Sequence, residues 1–99
     1  MNRVCEALFA LGDRGDLLDP FVQVYLFGSS LTSDTPTDVD ILLVYRRADL
    51  PRVHTAGAEI REALSSAFPG LDVDFTTLSE SELTETKFLD RVAYRQIKD

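Results

Sequence analysis

The chain has one cysteine, one histidine and no tryptophan, and each scarcity removes a class of protein. A lone thiol, Cys5, excludes an internal disulfide framework, and its neighbours Val4, Leu8 and Phe9 point to a buried structural thiol. One imidazole argues against a histidine-rich metal centre, since ligating histidines come with further ligands at matched spacing. His54, in the first turn of an amphipathic segment, reads as a surface residue. Ten basic residues stand against seventeen acidic ones, a net charge of −7. That balance opposes direct nucleic-acid binding, because neutralising phosphates takes clustered Lys and Arg. No apolar run approaches the roughly 20 residues of a membrane helix, and Glu6 interrupts the apolar N-terminus. Neither a membrane span nor a secretory signal is expected, and a cytoplasmic protein is the default.

What is present is the composition of an ordinary globular chain, 44% hydrophobic over 99 residues, enough for one domain over residues 1–99 with a modest core. Val4, Leu8 and Leu11 recur at helical spacing between a capping Asn2 and a terminating Gly12. Residues 13–16 read as a turn, and Pro20 leads into a first strand. There Val22, Val24 and Leu26 share one face, and Gln23, Tyr25 and Phe27 share the other. After a polar loop comes a second strand over 39–45, closed by Arg46 and Arg47, which read as a solvated strand end in preference to a phosphate clamp.

Asp49 caps the next helix, which carries Pro51 in its first turn and a buried stripe of Val53, Ala56, Ile60, Leu64 and Ala67. Gly57 is expected to permit close packing on the sheet, and the helix stops at Pro69-Gly70. Along a third strand, 71–78, Leu71, Val73 and Phe75 alternate with Asp72, Asp74 and Thr76. Ser79 and Glu82 form a capping box for a final helical region whose apolar face is Phe88, Leu89, Val92 and Ala93. Whether residues 79–98 make one helix or two is left open by the pattern. The order helix, strand, strand, helix, strand, helix predicts an α+β fold, a small mixed sheet with helices packed mainly against one face.

The organising stretch is residues 22–45, VQVYLFGSSLTSDTPTDVDILLVY. Asp38 and Asp40 project from one side of their strand, Val39 and Ile41 from the other. Adjacent carboxylates repel each other. They persist chiefly with a divalent cation between them, with one protonated, or with both well solvated. Gly28 lets a polyanion approach the backbone, and Ser29 adds a hydroxyl and an N–H donor beside it. The pattern therefore suits a metal-bound phosphate, with a merely solvated strand-loop-strand as the bland alternative.

An apolar residue, Gly-Ser, a short polar loop and Asp-x-Asp on a hydrophobic strand resemble the minimal nucleotidyltransferases of the DNA polymerase β superfamily. Here the motif reads Phe27-Gly28-Ser29, eight intervening residues, Asp38-Val39-Asp40, then Ile41-Leu42-Leu43-Val44. The family's third carboxylate lies on a later strand between apolar residues, and Asp74, between Val73 and Phe75, is similar to it; Asp72 is the weaker match. The resemblance covers residues 22–79. The chain departs from the pattern in a shortened loop, and in Ser30-Leu31 where an Arg often follows Gly-Ser.

The resemblance implies a polymerase β-type core in which Asp38 and Asp40 hold Mg²⁺, two ions being expected, with Asp74 completing the second site. Asp74 would also help deprotonate the attacking hydroxyl. Gly28, Ser29 and Ser30 would cradle the phosphates of ATP or another NTP. Stand-alone cores of this size resemble the antitoxin halves of toxin–antitoxin pairs, matched with an all-helical HEPN ribonuclease. That implies transfer of AMP to a tyrosine hydroxyl on the toxin, and leaves base selection and acceptor binding to a partner or a second copy. Two alternatives stand beside it. One is a non-catalytic acidic module or nucleotide sensor that neutralises a partner by masking it; the other is a small-molecule nucleotidyltransferase with its acceptor pocket at a dimer interface.

Overall fold

The second half of the segment DVDILLVY is apolar on both faces, which requires a strand in the interior of a sheet. A computed structural model, which describes residues 3–13, 18–28, 38–46 and 50–98, has it there. The elements run α1 (Arg3–Asp13), β1 (Phe21–Phe27), β2 (Asp38–Tyr45), α2 (Leu50–Ala67), β3 (Asp72–Ser79), α3 (Glu80–Thr86), a single 3₁₀ turn (Phe88–Asp90) and β4 (Tyr94–Lys98). The strand order is β3-β2-β1-β4. β1 is antiparallel to β2 and β4, and β2 is parallel to β3. A parallel pair needs a long crossover, and α2 supplies it.

Alternation along the strands divides the core between two faces. On one, Val24, Leu26, Val39, Ile41, Leu43 and Val73 meet Val4 and Leu8 of α1 and Val53, Ala56, Ile60 and Leu64 of α2. On the other, Tyr25, Leu42 and Val44 pack with Leu78, Leu83, Phe88 and Leu89. The two long helices thus cover one face, and α3 with the 3₁₀ turn covers part of the other. The fold is the expected α+β class with a mixed sheet.

The expected stripe on α2 holds at four positions, while Ala67 is exposed at the helix end. α1 continues through Gly12 to Asp13, one residue past its expected stop. The capping residues Asn2 and Asp49, the rest of the 13–16 turn and the side chain of Cys5 lie outside the described residues. His54 is exposed, as its position in the first helical turn implies.

The C-terminal region differs from its expectation. The capping box forms: the Ser79 hydroxyl accepts from the Glu82 N–H at 3.1 Å, and the Glu82 carboxylate accepts from the Ser79 N–H at 2.9 Å. But α3 ends at Lys87, whose φ of 52° puts it in the left-handed region. The 3₁₀ turn sets Phe88 edge-on against Phe27, with ring centroids 5.0 Å apart. Phe88 and Leu89 are therefore partly buried against the smaller core cluster, but not on one helical face with Val92 and Ala93. The chain instead returns as β4 along the free edge of β1. Tyr94-Arg95-Gln96-Ile97-Lys98 has a single aliphatic residue, so local pattern does not mark it as a strand; tertiary contacts hold it there. Tyr94 meets Tyr25 edge-on at 5.3 Å, Arg95 lies over the Phe9 ring at 5.8 Å, and Lys98 Nζ donates to the Leu18 carbonyl at 2.9 Å. Charged residues along such an edge discourage pairing with another chain.

Candidate functional site

β1 ends where the site begins. Gly28 has φ +85° and donates its N–H to the Ala93 carbonyl at 3.3 Å. Because Phe27 pairs with Asp40 across β1 and β2, the chain leaves the sheet beside that carboxylate. A Cβ at residue 28 would sit 2.7 Å from Asp40 Oδ2. Glycine is thus needed twice, for the positive φ and for the space Asp40 occupies.

The parallel register of β2 and β3 sets Asp38 opposite Asp72 and Asp40 opposite Asp74. With side chains alternating along each strand, these four carboxylates belong to one face, the face that carries Tyr25 and Phe27 farther across the sheet. Neighbouring strands lie about 4.8 Å apart, so Asp40 and Asp74 are close neighbours. Asp40 is half-buried, while Asp38, Asp72 and Asp74 are exposed. The Asp40 carboxyl is pushed above the usual aspartate range, first by burial, then by the negative charges of Asp74 and Asp38. The three residues that the family resemblance groups are therefore electrostatically coupled, and Asp74, not Asp72, is the β3 carboxylate that acts on Asp40.

Asp38, Asp72 and Asp74 line a polar cleft of about 400 Å³ together with Ser65 and Arg61 of α2. Arg61 was not singled out by the sequence, where it is one more charge on an exposed helix face. Here its Nη1 donates to the Val73 carbonyl at 2.6 Å and its guanidinium lies over the Phe75 ring at 4.8 Å. It brackets Asp74 from both sequence neighbours. A second groove of about 440 Å³ lies against the opposite face, between α2 and the strands, floored by Leu43, Val53 and Phe75. No carboxylate lines it, so size alone does not locate the chemistry. Gly57 borders that groove, and nothing lies within 4 Å of where its Cβ would be. It does not bring helix and sheet into close contact, contrary to expectation.

At the far end of β2, Arg46 Nε pairs with Glu80 Oε1 at 3.1 Å, both side chains exposed, which is the solvated strand end anticipated for it. Ser29, Ser30 and Arg47 lie outside the described residues. Carboxylate oxygens suit a hard divalent cation such as Mg²⁺, whose charge would offset those of Asp38 and Asp74 around the half-buried Asp40. By donor type and by need of charge, the residues fit such an ion. Among the described residues no group of three or more Asp, Glu, His or Cys side chains is placed to hold a metal ion by itself. No helix among them is long and apolar enough to cross a membrane. Compared with known proteins, the chain matches no family model, no curated protein and no solved structure.

Proposed function

We propose that this chain is a Mg²⁺-dependent nucleotidyltransferase of the minimal polymerase β-like kind, transferring NMP, first of all AMP from ATP, to a hydroxyl of a partner protein in the cytoplasm. The observation that carries the reading is the placement of Asp40 between Asp38 and Asp74, beside a glycine whose missing Cβ makes room for its carboxylate. Asp38 and Asp40 would hold the metal, with Asp74 contributing from the neighbouring strand. Mg²⁺ bound there supplies neutralising charge for the triphosphate and for the oxygens that attack and leave.

The chain's own part is positioning and proton handling. Gly28 leaves room for the Asp40 carboxylate at the end of β1, and a metal-bound triphosphate would lie beside that carboxylate. Asp74, exposed and next to Asp40, accepts the proton of the acceptor hydroxyl as its oxygen bonds to the α-phosphorus. The bond from that phosphorus to the bridging oxygen breaks, and pyrophosphate leaves. A HEPN-type toxin is the partner the family resemblance implies, and the net charge of −7 suits a basic partner surface.

The test is transfer of label from α-labelled ATP to the partner with Mg²⁺ present. The wild type labels the partner, and Asp40→Ala loses at least about a hundredfold in rate. No transfer by the wild type to any acceptor would contradict the reading. The exposure of Asp38, Asp72 and Asp74 also favours a second reading, an acidic module that masks its partner without chemistry. Under it, Asp40→Ala binds and neutralises the partner as well as the wild type does.

A further inference from the structure

The row of paired residues that contains Asp40 does not end at β1. Asp74 pairs with Asp40, Asp40 with Phe27, and Phe27 with Tyr94, so one line across all four strands runs from the third carboxylate to an aromatic ring on β4. Directly paired residues share a face, and the edge-on contact of Tyr94 with Tyr25 puts its ring on the carboxylate side. Tyr94 is 47% exposed, and among the described residues only Leu50, which borders the groove on the opposite face, is another exposed large hydrophobic. Tyr94 stands two strand spacings from Asp40, roughly 10 Å, and Phe88 over Phe27 forms an apolar shoulder between them. An exposed ring, braced from one side and aligned with a cluster of carboxylates, has the form of a stacking platform.

Resting on the nucleotidyltransferase reading above, we infer that Tyr94 is the surface on which the nucleobase of the nucleoside triphosphate stacks while its phosphates lie at Gly28 and the carboxylates. A nucleoside spans the gap between a metal-bound phosphate and a ring at that distance. Stacking on an aromatic ring accepts any base, so this platform gives affinity with weak selectivity among bases. Base affinity then resides partly in this chain, while base selection stays with the partner or second copy that the family resemblance implies.

The experiment compares binding of Mg·ATP and of base-free Mg·tripolyphosphate to the wild type, Tyr94→Ala and Tyr94→Phe, followed by tyrosine fluorescence and by equilibrium dialysis. The wild type binds ATP about tenfold more tightly than tripolyphosphate. Tyr94→Ala loses about that factor for ATP and keeps its affinity for tripolyphosphate, while Tyr94→Phe retains both. Equal affinity of Tyr94→Ala and wild type for ATP would overturn the inference, as would an equal loss for both ligands, which would mark a structural role. A wild type that binds neither ligand refutes the nucleotide reading itself, and this inference with it.

Discussion

Where α1 and α2 cover the sheet, β2 contributes Val39, Ile41 and Leu43 and β3 contributes Val73, all buried. On the reverse side the same strands begin with Asp38, Asp40, Asp72 and Asp74 and become apolar only at Leu42, Val44 and Leu78. One face is buried from Val39 and Val73 to Leu43 before it opens into the groove at Phe75 and Thr77; the other is core at one end and a cluster of like charges at the other. The covered face holds the strands in register, and that register brings carboxylates from two strands together. A strand shifted by a single residue would send Asp74 to the helix side. Apolar packing and like charge are thus separated by face, and the separation can be probed from each side.

The largest effect on stability belongs to the covered face. Ile60 is fully buried among α1, α2 and the sheet, so Ile60→Ala should cost about 2–5 kcal/mol in denaturant unfolding. A loss well under about 1 kcal/mol would show that α2 packs loosely. Next come the two glycines that differ most in their surroundings. Gly28→Ala meets both a positive φ and Asp40 Oδ2, and should lose about 1–3 kcal/mol together with transfer activity. Gly57→Ala lies in a helix with open space around it, and should gain about 0.5–1 kcal/mol. Equal effects from the two substitutions would remove the distinction between a site glycine and a spare one.

The smallest effect is the most informative about the charged face. A carboxyl raised in the folded state, as Asp40 is, contributes stability that is present in full below its ordinary value of 3.8 and lost as pH rises through the folded value. At neutral pH its ionised form therefore opposes folding. Asp40→Asn should unfold at a slightly higher temperature than the wild type at pH 7, and the gap should close as the pH falls below that window.

Much of this arrangement is legible in the sequence because it follows from short-range rules. Apolar runs bounded by polar turns marked β1 and β2, period-two alternation marked β3, three- and four-residue spacing marked α2, and Asp38 with Asp40 had to share a face. The partnership of Asp40 with Asp74 depends on register between strands far apart in sequence, which the family resemblance suggested and no local pattern specifies. β4 was not legible. Tyr94 to Lys98 is polar, and the left-handed stop of α3 falls on Lys87, with no Gly or Asn to mark it. Arg61 was equally silent, since its contacts with Val73 and Phe75 arise only once α2 lies across β3. Gly57 misled because a glycine beside a buried stripe reads the same whether it admits a neighbour or faces a groove.

If Asp38, Asp40 and Asp74 hold a divalent cation, as proposed, the ion relieves the repulsion that raises the Asp40 carboxyl. Thermal unfolding of the wild type and Asp40→Asn at pH 7, with millimolar Mg²⁺ or with sodium chloride of equal ionic strength, tests it most directly. Mg²⁺ should raise the wild-type midpoint beyond the sodium control, and Asp40→Asn, more stable without metal, should show no such extra rise. An equal Mg²⁺ response in both proteins, or none beyond ionic strength in the wild type, would contradict it.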